Sequence, residues 1–252
     1  MKIAIVTGAS SGMGREFVKQ ICYLYKGLDE IWVIARRKDR LEELKEKVNT
    51  KIRVFEGDLL RADIYEMVSA ALEENTPDIR MLVNAAGFGK VGNVKEIPCE
   101  DQVQMVQLNC GALTRMTKIC LSHMSKGSRI VNVASASAFC PQPEFSVYAA
   151  TKSYVLSFSR SLRAELSNEG IYVTAVCPGP VETEFFLVSG KKENNGMKDS
   201  VMAKPAAVVK QALLDARDGK AVSVYGVPMK LSRIATKIIP HSVILEVMKH
   251  FW

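Results

Sequence analysis

The stretch IAIVTGASSGMGREF, residues 3–17, decides how this chain is read. An apolar run of strand type fills 3–6, TGASSGMG follows directly at 7–14, and a helical pattern starts at Arg15. Glycines at 8, 12 and 14 permit a tight turn. They also let backbone N–H groups approach a pyrophosphate at a helix N-terminus, where unpaired amides and the helix dipole favour negative charge. A glycine-rich turn can also simply join two elements. Its place between an N-terminal strand and a helix favours the phosphate reading. Gly8, Ser10, Ser11, Gly12, Met13 and Gly14 are therefore candidate cofactor-binding positions.

Outward from this turn, short apolar runs at 3–6, 31–34, 52–55, 81–83, 130–133, 171–176 and 221–224 alternate with longer amphipathic segments. The helical segments expected are 15–25, 39–48, 64–73, 103–123 and 148–166. Runs without polar alternation belong to strands buried on both faces, as in a parallel sheet covered by helices. With right-handed crossovers, the expected fold is a single-domain α/β Rossmann-type doubly wound parallel sheet of about seven strands, with helices on both faces. A length of 252 residues suits one such unit. The segment 189–200, rich in Gly, Asn and Lys, is the most irregular.

Composition excludes several other classes. Hydrophobic residues make up 48% and charged residues 24%, enough apolar material for a core and too much for a disordered chain. The six cysteines form no C-x-x-C pair and only three histidines accompany them, so no metal site is expected and the thiols read as reduced, in a cytoplasmic protein. No run approaches the roughly 18 apolar residues of a membrane span. Much of the net charge of +7 lies late, with nine Lys/Arg against four Asp/Glu in 198–252. It includes no basic cluster interleaved with aromatics, so nucleic acid is not expected as a partner.

The second strand ends IWVIARRKDRL, 31–41. In Rossmann folds an acid at this place accepts the ribose 2′-hydroxyl of NAD, whereas a cation accommodates the phosphate of NADP. Arg36 and Arg37 occupy it, and the first acid, Asp39, comes too late. Arg36 is the first choice for the phosphate, with Arg37 and Ser10 as helpers. Further on, Tyr148 and Lys152 stand one helical turn apart on one face. A lone pair of this kind is weak evidence, but Ser135 precedes Tyr148 by thirteen residues, just beyond the strand 130–133.

TGxxxGxG at 7–14 together with Ser135, Tyr148 and Lys152 resembles the short-chain dehydrogenase/reductase family, in its branch of about 250 residues; the likeness is close over 3–183. It implies an NADP(H)-dependent oxidoreductase interconverting a carbonyl and a secondary alcohol, chiefly in the reductive direction, with a small-molecule substrate. Asn109, in MVQLNCGA, matches the family's fourth catalytic position. By the same resemblance Asp58 and Leu59 border the adenine, and Asn84, Ala85, Ala86 and Gly87 approach the ribose. Pro178, Gly179, Pro180, Val181 and Thr183 form the turn holding the nicotinamide carboxamide. Tyr148 donates the proton, Lys152 lowers its pKa and grips the ribose, Ser135 bonds the same substrate oxygen, and Asn109 holds a helix kink and a water. Alternatives are an NAD-linked alcohol dehydrogenase, against which Arg36 argues, and a catalytically silent nucleotide-sensing scaffold, against which Ser135, Tyr148 and Lys152 argue.

The substrate pocket falls to residues 87–95, 136–147 and 184–204, the last as a lid, with Met197, Met202 and Met229 around it. Cys140 lines the cleft without reacting, and His123, His241 and His250 receive no chemistry. Family likeness also implies a homodimer or homotetramer packed through 111–124 and 148–166. Residues 226–252 read as two short amphipathic helices, interrupted at Pro240, that pack on protein in preference to an anionic membrane surface.

Overall fold

The centre of the sheet is β1 (Lys2–Thr7), and its side chains divide the interior into two layers. Ile3 and Ile5 join one buried cluster, whereas Ala4 and Val6 join another on the opposite face. This follows from the strand's two-residue period, with both faces apolar. The computed structural model describes residues 1–190 and 202–249 of the chain. Around β1 the sheet also holds β2 (Glu30–Ala35), β3 (Lys51–Glu56), β4 (Asp78–Asn84), β5 (Arg129–Val133), β6 (Tyr172–Val176) and β7 (Val222–Ser223). All pairs are parallel, in the order β3-β2-β1-β4-β5-β6-β7.

One face carries α1 (Gly12–Leu24), α2 (Lys38–Glu46) and α8 (Pro205–Arg217), through Phe17, Leu41 and Leu213 among others. The other carries α3 (Asp63–Asn75), α5 (Leu113–Leu121) and α6 (Ser146–Glu165), through Ile64, Met116 and Leu162. The chain winds outward from β1 to β3, then returns to β4 on the other side of β1. This reversal opens a crevice at the carboxyl ends of β1 and β4, the place where ligands enter such sheets.

Three local expectations change. The continuous helix over 103–123 is α4 (Cys99–Val106), a π-helical turn at Gln107–Ala112 and then α5. The wider turn is fixed by hydrogen bonds of Asn109 described below, which accords with the tendency of π turns to mark functional positions. Helix α8 was not foreseen, although Pro205 at its first turn and Val208, Val209, Ala212, Leu213 and Ala216 at helical spacing announce it. The strand at 221–224 shortens to the two residues of β7.

Among the rest, α7 (Phe185–Ser189) follows β6, and α9 (Val227–Ile238) and α10 (His241–Lys249) form the tail. Met197 and His250, and the parts of the proposed lid and tail at 191–201 and 250–252, lie outside the described residues. The expected packing of the tail's apolar stripe on protein is not found in α9, where Leu231, Ile234 and Ile238 are exposed, and the contacts the tail does make come from other residues. Met229 lies against Gly179, and His241 and Leu245 help to wall a cavity of about 440 Å³ with Cys140 and Ser146. No residue of α9 or α10 is buried, and no described helix is long and apolar enough to cross a membrane.

Candidate active site

The turn after β1 is shaped by close backbone contacts. Gly8 adopts φ +69°, and a Cβ there would lie 2.8 Å from the Ala86 nitrogen; at Gly14 it would lie 2.3 Å from the Gly8 carbonyl oxygen. Both positions therefore exclude any side chain without a shift of backbone. Across this contact the Thr7 hydroxyl accepts hydrogen bonds from the Ala85 and Ala86 amides, at 3.1 and 3.2 Å. Thr7 thus fastens the end of β1 to the segment after β4. Its role was missed although it opens the quoted motif.

Ser11 caps α1 with an extended backbone and makes no side-chain cap bond. The first amides of the helix have no intrahelical acceptor, as at any helix start. A Cβ on Gly12 would lie 3.4 Å from the Thr183 side chain, so the turn after β6 closes over the same crevice. Within that turn the Pro178 carbonyl accepts from the Ala136 amide at 2.8 Å, and Val181 pairs with Ala203 in a β-bridge. Met13 packs its side chain against the core, leaving its amide for the site.

The two arginines after β2 take different directions. Arg37 donates from Nε and Nη2 to the Ser10 hydroxyl, both at 3.3 Å, and its Nη1 lies 2.9 Å from Glu184. Arg36 has a side chain 75% exposed, with Asp58 at 3.8 Å. The cation bonded to the glycine turn is therefore Arg37, with Arg36 at the outer rim. Arg40, which donates to the other oxygen of Glu184, was not foreseen. Asp58 accepts from the Leu60 amide at 3.0 Å, and Leu59 is buried beside it. Asn84 turns its side chain into the sheet, donating to Asn132 at 2.9 Å and Thr117 at 3.1 Å, so what it offers the crevice is backbone.

On α6, Tyr148 and Lys152 are buried on one face, and Ser135 stands near enough to Tyr148 to lower its pKa. Ser135 caps the short helical turn Ala136–Ala138, accepting from the Ser137 amide at 3.1 Å. Lys152 Nζ donates to the Val133 carbonyl at 2.9 Å and stands 5.5 Å from the Tyr148 ring centre. Asn109 Nδ2 donates to the Phe88 carbonyl at 2.9 Å and to Thr151 at 3.0 Å, while its Oδ1 accepts from the Phe88 amide at 3.0 Å. Thr151 in turn donates to the Tyr148 carbonyl at 2.7 Å. The π turn is thereby tied to the start of α6 and to the loop after β4. Gly87 sits between, since a Cβ there would lie 2.7 Å from Asn109 Oδ1 and 3.4 Å from Lys152 Nζ.

Electrostatics here differ from expectation. Burial pushes the Tyr148 hydroxyl up to about 12, and the nearby Ser135 hydroxyl works against the rise. Burial also pulls Lys152 down to about 8. Desolvation is the largest influence on both groups in this arrangement. Phe145 stacks on Tyr148 at 4.2 Å between ring centres, and Phe185 stands 5.3 Å away. Gly89 gives these rings room: a Cβ there would lie 2.8 Å from both Tyr148 and Phe185. Cys140 is buried and burial raises its thiol.

The residues fit a dinucleotide: a glycine turn at a helix N-terminus, a guanidinium with a hydroxyl at the end of β2, and a buried Ser–Tyr–Lys group at the same sheet edge. Comparison with known proteins agrees. A short chain dehydrogenase family model matches residues 2–194. Sulfoacetaldehyde reductase 2 of Chromohalobacter salexigens is 32% identical over 195 residues, covering 74% of this chain and 75% of the relative. A short-chain dehydrogenase from Sphingobium yanoikuyae in complex with NADPH superposes with TM-score 0.80 at 27% identity, over 94% of this chain and 93% of that one. A 3-ketoacyl-(acyl-carrier-protein) reductase from Brucella melitensis complexed with NADH gives TM-score 0.76 at 25% identity, over 88% and 96%. With its parallel sheet and this site, the chain belongs to the short-chain dehydrogenase/reductase family and is an oxidoreductase acting on CH–OH groups.

Proposed function

We propose that this oxidoreductase is NADP(H)-dependent and reduces the carbonyl of a small molecule to a secondary alcohol, with Tyr148 as general acid. The observation that carries the reading is Tyr148 and Lys152 buried one turn apart on α6 beside the buried Ser135, with Arg37 joined to Ser10 at the cofactor end of the crevice. The nicotinamide, when bound, supplies the hydride. Tyr148 gives its phenolic proton to the substrate oxygen as negative charge develops there, and takes one back in the oxidative direction. Ser135 holds that oxygen by a second hydrogen bond. Lys152, half protonated near pH 8, relays protons toward Tyr148 and holds ribose hydroxyls through Nζ. Asn109 keeps α6 and the loop after β4 in register.

Preference for NADP(H) is supported by Arg37 and Arg36 standing where an NAD enzyme carries an acid. A charge-assisted hydrogen bond is worth about 1.5–3 kcal/mol, so Arg37→Ala should weaken NADPH about tenfold to a hundredfold and leave NADH nearly unchanged. Fluorescence titration with both cofactors checks this, and equal affinities in the wild type would overturn it. A cytoplasmic location is the reading that the scattered thiols support. A homodimer or homotetramer through α5 and α6 is supported by Tyr154, exposed on α6 and stacked on Phe158.

A further inference from the structure

A carboxylate stands where the cofactor reading places a phosphate. Glu184, just before α7, binds Arg37 through Oε2 at 2.9 Å and Arg40 through Oε1. One carboxylate thus bridges two guanidinium groups that lie more than 140 residues away in sequence, and Arg37 is at the same time bonded to Ser10. Asp39 and Glu43 also lie near Arg40, but neither accepts a hydrogen bond from it. The pair of forks and the hydroxyl suit a tetrahedral dianion better than a carboxylate: a phosphate monoester brings three acceptor oxygens and up to two charges, where Glu184 brings two oxygens and one charge.

Glu184 is joined to the catalytic end through its neighbour. Phe185 lies 5.3 Å from the Tyr148 ring, and together with Phe145 it covers that side chain. While Glu184 is held by Arg37 and Arg40, the first residue of α7 is held on Tyr148.

Resting on the NADP(H) reading above, we propose that Glu184 is an internal competitor for the cofactor's 2′-phosphate: its carboxylate occupies Arg37 and Arg40 in the free enzyme, and phosphate binding there displaces it and frees Phe185 from Tyr148. Arg40 then serves as a second phosphate ligand beside Arg37. A nucleotide without the 2′-phosphate leaves Glu184 in place and Tyr148 covered. Discrimination between cofactors is then expressed in access to the site as well as in affinity.

The probes are adenosine 2′,5′-bisphosphate and adenosine 5′-monophosphate, titrated calorimetrically into the full-length enzyme and into Glu184→Gln. Glu184 is partly exposed, so the variant keeps the fold. Removal of the competing charge should tighten the bisphosphate about tenfold and leave the monophosphate within about twofold. Hydrogen exchange of amides 185–190 should quicken in the wild type on adding the bisphosphate but not the monophosphate, and be fast in Glu184→Gln without ligand. A variant that binds the bisphosphate no tighter overturns the competition, and exchange that the bisphosphate leaves unmoved overturns the link to Phe185. A wild type that binds both probes equally sinks the NADP(H) reading itself, and this proposal with it.

Discussion

Two amphipathic helices of this protein meet opposite fates. Helix α6 buries Tyr148, Ala149, Thr151, Lys152, Val155, Leu156, Ser159 and Leu162 against the sheet. Helix α9 has an equally regular stripe, yet Val227, Leu231, Ile234 and Ile238 are 67, 60, 55 and 76% exposed, while the polar Ser232, Arg233 and Thr236 are partly covered. Periodicity identifies which residues share a face but not which way that face points. Helix α6 lies over β5 and β6, inside the sheet, where each polar group on its buried face finds a partner. Helix α9 follows β7, a two-residue edge strand beyond which no sheet remains to be covered.

The largest effect that would sharpen this contrast is expected on the functional face of α6. Tyr148→Phe keeps the ring packed on Phe145 and removes the proton donor alone, so kcat should fall about a thousandfold while NADPH affinity persists. Steady-state rates with a cofactor titration measure both, and near-normal kcat in the variant would sink the assignment of Tyr148 as acid.

Next comes the cost of burying a cation on that face. Lys152 has a folded pKa of about 8 against an ordinary 10.5. Below pH 8 the folded state carries the full desolvation penalty. Between the two values the unfolded chain binds more protons, so stability rises with pH across that window. At 1.36 kcal/mol per unit the total is about 3 kcal/mol. Chemical denaturation from pH 7 to 10 should show the wild type gaining on Lys152→Met by up to that amount. Parallel curves for the two proteins would mean that Lys152 is not desolvated.

The smallest effect separates the helices directly. Leu156→Ala should cost about 2 kcal/mol, and Leu231→Ala less than about 0.5 kcal/mol, in urea unfolding of dilute protein. If the two cost the same, something covers α9 in solution. Light scattering on the same samples then tells whether a second copy does so, and a monomer at micromolar concentration would also remove the assembly proposed through α5 and α6.

Legibility followed locality. Gly8, Gly12 and Gly14 could be read because a turn between strand and helix is encoded within eight residues, and Tyr148 with Lys152 because one helical turn joins them. Ser135 needed thirteen residues and a family likeness. Arg40 and Glu184 were not legible, since their meeting depends on the loops after β2 and β6 coming to one crevice. The different directions of Arg36 and Arg37 have the same origin: two adjacent residues leaving a strand diverge, and which of them meets Ser10 depends on the path of the turn.

The sequence by itself determined the doubly wound sheet, the glycine turn and the pairing of Tyr148 with Lys152 on one helix face, because two-residue and 3.6-residue periods and short spacings are properties of the chain alone. The tertiary structure decided the direction in which α9 presents its apolar face, the π turn at Asn109, the burial that drives the pKa values of Tyr148 and Lys152 apart, and the carboxylate of Glu184 on two arginines. Each of these depends on solvent exclusion and on contacts between segments distant in sequence, which no local pattern contains.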